Sequence, residues 1–181
     1  HDGIINDYDK CAIGKPNLPN TTLGWTVGGS WKGFTLSVLF QGSFNYSFSI
    51  VGTGIEPFKS QFQPLHEKRW TLERWQNGED IEFPRLTSNP STVNSAEAYM
   101  SDFWLIDAWY IRLKTVDLSY DFPRKWIPKF MSGLRLYANC YNLFTWTSYK
   151  KYQQDPEIQT NSAGDAYMNQ RIVNFGVNIS F

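Results

Sequence analysis

Hydrophobic and polar residues alternate over long stretches of this chain. Phe34, Leu36, Val38, Phe40, Phe44, Tyr46, Phe48 and Ile50 share one parity. Thr35, Ser37, Gln41, Ser43, Asn45, Ser47 and Ser49 share the other, broken only by Leu39. Successive side chains of a strand point to opposite faces, so this run predicts a strand with one apolar and one polar side. Strands of soluble proteins usually end within about ten residues. An alternation from 34 to 50, with small neutral residues on its polar side, suits a tall barrel better than a sandwich. Before it, Leu23, Trp25, Val27 and Trp31 alternate with Gly24, Thr26, Gly28 and Ser30. Lys32-Gly33 between the two runs predicts a tight hairpin turn, with glycine supplying the positive φ.

Three more strands are predicted further on. In the one over about 104–120, Trp109, Ile111 and Leu113 share one parity, while Val116, Leu118 and Tyr120 share the other. The flip near Lys114-Thr115 predicts a β-bulge or a change of facing. Over about 134–146, Leu134, Leu136, Ala138 and Cys140 alternate against Arg135, Tyr137, Asn139 and Tyr141. The pattern fails at Asn142-Leu143-Phe144, where no facing is assigned. The last strand sets Val173, Phe175, Val177, Ile179 and Phe181 against Asn174, Gly176, Asn178 and Ser180.

The connections are alternately short and long. The 32–33 turn and the compact 122–132 segment, which has room for one helical turn, are short. The connections 1–20, 52–103 and 150–169 are long. Outer-membrane barrels have short periplasmic turns and longer extracellular loops, so the last strand is expected to run inward and end at the periplasm. Aromatic residues fall near the expected strand ends. Trp31, Phe34, Tyr120, Phe122, Trp126 and Phe181 lie toward the short turns, and Trp25, Phe48, Trp104, Trp146 and Tyr149 toward the long loops. Two such belts are what amphipathic rings at two membrane–water interfaces give; an aromatic-rich soluble core is the alternative.

Composition narrows the class. The 181 residues carry 17 basic and 17 acidic side chains, and this balance argues against a nucleic-acid partner, because phosphate binding calls for a basic excess. Eight Trp, 10 Tyr and 13 Phe stand in a chain whose mean hydropathy is −0.43, as in a barrel with a polar lumen, a secreted sandwich or a sugar-binding β protein. No apolar run is long enough for a transmembrane helix, although a barrel strand needs only about 9–11 alternating residues. Cys11 and Cys140 are too few for a disulfide framework and are expected to be unpaired. His1 and His66 are the only histidines, and no catalytic motif is present, so enzyme activity is not expected.

Five strands do not close a membrane barrel, since the smallest single-chain barrels have about eight. Further strands are therefore expected before His1. The opening His1–Asp9 segment reads as the back half of a calcium loop, with Gly3 as the turn glycine and Asp2 and Asp9 as remaining ligands. An acidic surface turn is the equal alternative, since Asp9 stands where a bidentate Glu is usual. Binding candidates are Trp70, Trp75 and Tyr99 in the 52–103 loop, which would stack on sugars or pack against a lid protein. On the polar face, Gln41, Asn45, Arg112 and Asn139 would line a solute path or serve as water-lined scaffold.

Several motifs, in order, resemble the SusC/RagA-type TonB-dependent transporters. They are the Asp-Gly-x-Ile loop, Ile13-Gly14-Lys15-Pro16 with Pro19 and Gly24, Arg69-Trp70-Thr71, Phe83-Pro84-Arg85-Leu86 and Ser101-Asp102-Phe103-Trp104-Leu105. Tyr110–Lys114, Leu118–Pro123, Leu134–Tyr137, Asn142–Thr145, Asp155-Pro156-Glu157 and the Arg171…Phe175-Gly176…Phe181 ending complete the series. The resemblance covers nearly the whole chain. It implies an all-β fold in which residues 1–181 supply the C-terminal part, about five antiparallel strands, of a large transmembrane barrel of about 22 strands with a plugged lumen. It further implies outer-membrane location, import of oligosaccharides or peptides, a SusD-like lipoprotein lid, and coupling to TonB through an N-terminal part absent here. Phe181 resembles the C-terminal aromatic signal read by the barrel-insertion machinery, and is also the last lipid-facing position of its strand. A passive porin-like channel and a soluble carbohydrate-binding β-sandwich remain as alternatives.

Overall fold

The structure, a computed structural model, describes residues 3, 6–51, 64–86, 100–148, 150–158 and 167–181. Its strands are β1 (Thr21–Trp31), β2 (Phe34–Ser49), β3 (Leu105–Asp121), β4 (Gly133–Thr147) and β5 (Ile172–Ser180). They form one antiparallel sheet in the order β1-β2-β3-β4-β5, so each strand neighbours the next in sequence. Among the described residues all five strands belong to this one sheet.

The β1–β2 ladder runs from Trp31↔Phe34 to Thr21↔Phe44 and puts apolar opposite apolar: Trp25 faces Phe40 and Val27 faces Val38. Cross-strand pairs of this kind are what a sheet gains by its register. The hairpin closes at Lys32 (φ 48) and Gly33 (φ 91). Positive φ at both central residues is the type I′ arrangement that matches strand twist. The backbone carbonyl of Gly33 also accepts the N–H of Asp121 at 2.8 Å. The 122–132 connection contains one 3-10 turn, Arg124–Trp126.

The flip in β3 has a simple structural cause. Leu113 pairs with Phe144, but Thr115 pairs with Tyr141, so Lys114 stands against two residues, Asn142 and Leu143. A one-residue slip in register reverses which parity shares a face. Odd positions of β3 (Ile111, Leu113) therefore meet Trp146 and Phe144, and even positions (Val116, Leu118, Tyr120) meet Cys140, Ala138 and Leu136. The even positions of β4 are apolar on both sides of Asn142. This apolar row continues onto β5 through Leu136↔Val177 and Ala138↔Phe175. The extra residue sits on β4, where Asn142 has φ 53.

The long alternation in β2 is interrupted, contrary to expectation. Asn45 is left-handed (φ 59) and exposed, so it does not continue the polar face as its parity implied. Beyond it Tyr46, Ser47 and Phe48 are all buried. The chain divides here into two compact units. One comprises Asn20–Phe44, Trp109–Thr147 and Asn169–Phe181; the other comprises His1–Pro19, Asn45–Ala108 and Ser148–Met168.

The second unit has the core. Tyr46, Phe48, Ile50, Phe83, Trp104, Ala108 and Tyr152 form one buried cluster. Phe48 and Trp104 thus pack inside protein and not in an aromatic rim, while Tyr149 lies outside the described residues. Within 52–103, a small folded element stands where only a loop was expected. It contains a 3-10 turn (Pro64–Lys68) and a short helix, α1 (Leu72–Gln76), whose N-cap Thr71 accepts the N–H of Arg74. Arg69 and Phe83 close it as a parallel bridge.

Candidate functional site

Within the unit that holds the core, Trp70 lines an open cleft of 690 Å³ together with Phe83, Arg85, Phe103 and Trp104. The backbone holds these groups in place: the Trp70 N–H donates to the Phe83 carbonyl at 2.8 Å. Phe103 meets Phe83 edge-on at 6.2 Å between centroids and Trp104 at 4.9 Å. Trp75 sits on α1, 64% exposed, and does not line this cleft. Tyr99 lies outside the described residues. Sequence reasoning had singled out Trp70 but not Phe83, Phe103 or Trp104 beside it, although all three lie in motifs already noted.

An ion-pair chain borders the same element. Lys68 Nζ is 2.9 Å from Asp80 and 2.6 Å from Glu82, and Glu82 is 3.4 Å from Lys151. The hydrogen bond from Lys68 holds the Glu82 carboxyl below its ordinary value, and Glu82 in turn holds Lys68 above its own. Glu82 thereby ties two connections, 64–86 and 150–152, that are far apart in sequence.

Arg112 and Asn139 belong to the other unit. Arg112 is 2% exposed. Its Nε donates to Thr145 Oγ1, directly across the ladder, at 2.9 Å, and its guanidinium lies 6.0 Å from the Tyr110 ring centroid. Gln41 reaches the Tyr110 hydroxyl at 3.5 Å. Asn139 donates to Asp117 and stands between Asp117 and Asn174 in the ladders. Asp117 and Asn139, with Leu118, Ser119, Arg135, Tyr137 and Asn178, line a concavity of 310 Å³. Arg135 holds Asp121 through two 2.6 Å bonds, a bidentate pair that fixes both side chains. Such a face offers donors and acceptors to water or a polar solute and carries no nucleophile–base pair.

At the chain's two ends the pictures differ. Asn6 and Asp9 form a capping box on the 3-10 turn Asp7–Asp9, with the Asp9 carboxylate accepting the Asn6 N–H at 2.9 Å. Asp2 lies outside the described residues. No group of three or more His, Cys, Asp or Glu suited to a metal forms among the described residues. Phe181 is 84% exposed, stacks on Phe130 at 6.4 Å and has its carbonyl 3.2 Å from Ser132 Oγ.

An antiparallel sheet this tall, apolar along one parity and polar along the other, defines the class as a transmembrane β-barrel segment. No family model matches the chain. Two TonB-dependent receptors of Formosa agariphila match it over 99% of its length: receptor P3 at 24% identity and receptor P26 at 28%. The chain spans only 18% and 19% of those proteins. Among solved structures, the RagAB peptide importer in its closed-closed state superposes with a TM-score of 0.67 at 25% identity, over 93% of this chain and 18% of that one. A second RagAB peptide transporter structure gives 0.65 at 24%. The chain is thus similar over nearly its whole length to one segment of TonB-dependent receptors and of the RagAB importer. These relatives are receptors and transporters, not enzymes.

Proposed function

We propose that this chain forms part of a TonB-dependent outer-membrane transporter that imports oligosaccharides or peptides together with a SusD-like surface lipoprotein. The observation that supports it most is the match of 99% of this chain to part of a TonB-dependent receptor, combined with its superposition on part of a peptide importer. In this reading the 32–33 and 122–132 turns face the periplasm. The 1–20, 52–103 and 150–169 connections face outward, and TonB acts through another part of the protein. Because unpaired backbone groups in hydrocarbon cost several kcal/mol each, the free edges of β1 and β5 pair with further strands of the same barrel.

The roles divide along the two units. Asn139 with Asp117, and Arg112 with Thr145, belong to the lumen wall. The Trp70 cleft, Tyr99 and the exposed Trp75 meet the lipoprotein or the incoming solute, and Phe181 presents its aromatic ring to the insertion machinery. A calcium ion held by Asp2 and Asp9 would share the Asp9 carboxylate with the Asn6 N–H that it accepts.

The test is uptake of labelled oligosaccharides and peptides by cells carrying the full-length protein, with and without TonB. Uptake of either class that stops when TonB is removed, with a lipoprotein co-purifying from the outer membrane, is expected. Uptake that continues without TonB would instead favour the passive channel.

A further inference from the structure

The turn end of the sheet concentrates positive charge. Lys32 sits in the β1–β2 turn, and Arg124, Lys125 and Lys129 in the β3–β4 connection. Neither 31–34 nor 122–133 contains an acidic residue. Asp121 adjoins them but is held by both arms of Arg135. The two turns are neighbours, since the Gly33 carbonyl accepts the Asp121 N–H. All four cationic side chains are exposed, as chains in water or at a headgroup layer would be.

Aromatic rings accompany these cations. Phe34 lies 4.4 Å from Tyr120, and Tyr120 lies 4.9 Å from Phe122, making a continuous row on the apolar parity. Lys32 Nζ stands 4.6 Å over the Trp31 ring and Lys125 Nζ 5.9 Å over Trp126. Trp31 and Trp126 are both largely exposed. An indole beside an ammonium matches a phospholipid at its headgroup, where the ring sits at the interface and the cation meets the phosphate. The long connections differ, because 64–86 mixes Glu67, Glu73, Glu79, Asp80 and Glu82 among its cations.

We propose that Lys32, Arg124, Lys125 and Lys129, with Trp31 and Trp126, form a binding patch for anionic phospholipid headgroups at the turn end of the barrel wall. The proposal rests on the membrane-barrel reading above. Charge complementarity selects the occupant: unopposed cations favour an anionic headgroup over a zwitterionic one. A protein partner would need acidic counterparts and would show no lipid selectivity.

The experiment uses the purified full-length protein in detergent, mixed with equal amounts of phosphatidylglycerol and phosphatidylethanolamine and read by native mass spectrometry. Wild type is expected to retain phosphatidylglycerol at least about fivefold over phosphatidylethanolamine, the effect of one well-placed cation at an anionic surface. The variant Lys32→Gln/Arg124→Gln/Lys125→Gln/Lys129→Gln is expected to bring that ratio to about one. Replacing the three lysines by arginine and Arg124 by lysine is expected to keep the selectivity. Equal retention of both lipids by wild type, or selectivity unchanged in the glutamine variant, would overturn the proposal. Heat-modifiable migration of the same samples reports the barrel separately: its loss in wild type would sink the membrane reading, not the lipid patch alone.

Discussion

Tyr137 lays its ring over Gly176, its direct cross-strand partner on β5. A Cβ at Gly176 would come within 2.2 Å of the Tyr137 ring and 2.3 Å of its hydroxyl oxygen. The glycine is therefore a seat for the ring on the polar face. A residue without a side chain in a strand interior often marks such a close approach. Gly176→Ala is expected to destabilise the barrel by about 1–3 kcal/mol, the usual cost of overpacking. The midpoint of urea unfolding of the full-length protein in micelles measures it. Pairing Gly176→Ala with Tyr137→Ala should make the glycine change nearly silent, because the clashing ring is gone.

The β1–β2 turn makes a second prediction. Gly33 has φ 91, and a Cβ there would meet the Asp121 carbonyl oxygen at 2.6 Å. Gly33→Ala is expected to lower stability by at least about 1 kcal/mol through backbone strain alone. Lys32→Asn, which suits left-handed backbone better, should not lower it. The same unfolding assay separates the two.

The bulge at Asn142 carries a third. Its left-handed backbone favours Asn or Gly and penalises a β-branched residue. Its Nδ2 also donates to the Gln170 carbonyl at 3.0 Å. Asn142→Gly is expected to keep the barrel folded, and Asn142→Val to reduce the heat-modifiable fraction.

Glu82 gives a pH prediction. Its folded value is depressed below 4.5 by Lys68, so its contribution is present above 4.5 and is lost as pH falls through the folded value. Lys68 is raised above 10.5 by Glu82, so its contribution is present below 10.5 and is lost as pH rises through the folded value. The tie between 64–86 and Lys151 should therefore hold between about 4.5 and 10.5 and loosen at lower pH. Hydrogen exchange of amides 68–83, corrected for intrinsic rates, should quicken in Glu82→Gln at pH 7 and in wild type as the pH is taken progressively below 4.5. Unchanged protection in both would show that the tie contributes nothing.

The strands were legible because alternation of period two needs only neighbouring residues. The Lys32-Gly33 turn was legible for the same reason. The bulge was legible in position but not in ownership. The parity of β3 flips, yet the extra residue is on β4, and only the paired register decides that. Asn45 shows the opposite failure. The alternation through Phe44, Tyr46 and Phe48 looks continuous, but a left-handed residue turns the chain into a packed cluster whose members, Phe83, Trp104 and Tyr152, lie far away in sequence. The cleft around Trp70 was half legible. Its tryptophan stood out by type, whereas Phe83 reaches it through the Arg69–Phe83 bridge and Phe103 through its edge-on contacts with Phe83 and Trp104, all tertiary contacts. The chain Asp80–Lys68–Glu82–Lys151 was invisible for that reason too, and α1 is too short for periodicity to report, although Thr71 was there as its cap.

The central claim is that on the turn side of the β3–β4 bulge one parity of each strand faces lipid and the other faces the lumen. Spin labels placed singly, in a cysteine-free version of the full-length protein in vesicles, test it most directly. Labels at Val27, Val38, Leu118, Leu136 and Val177 are expected to collide mainly with oxygen, which concentrates in hydrocarbon. Labels at Thr26, Ser37, Ser119 and Asn139 should collide mainly with a water-soluble nickel reagent. A period of two in that ratio across these positions is the expected result, and uniform access to the nickel reagent at both sets would contradict the account.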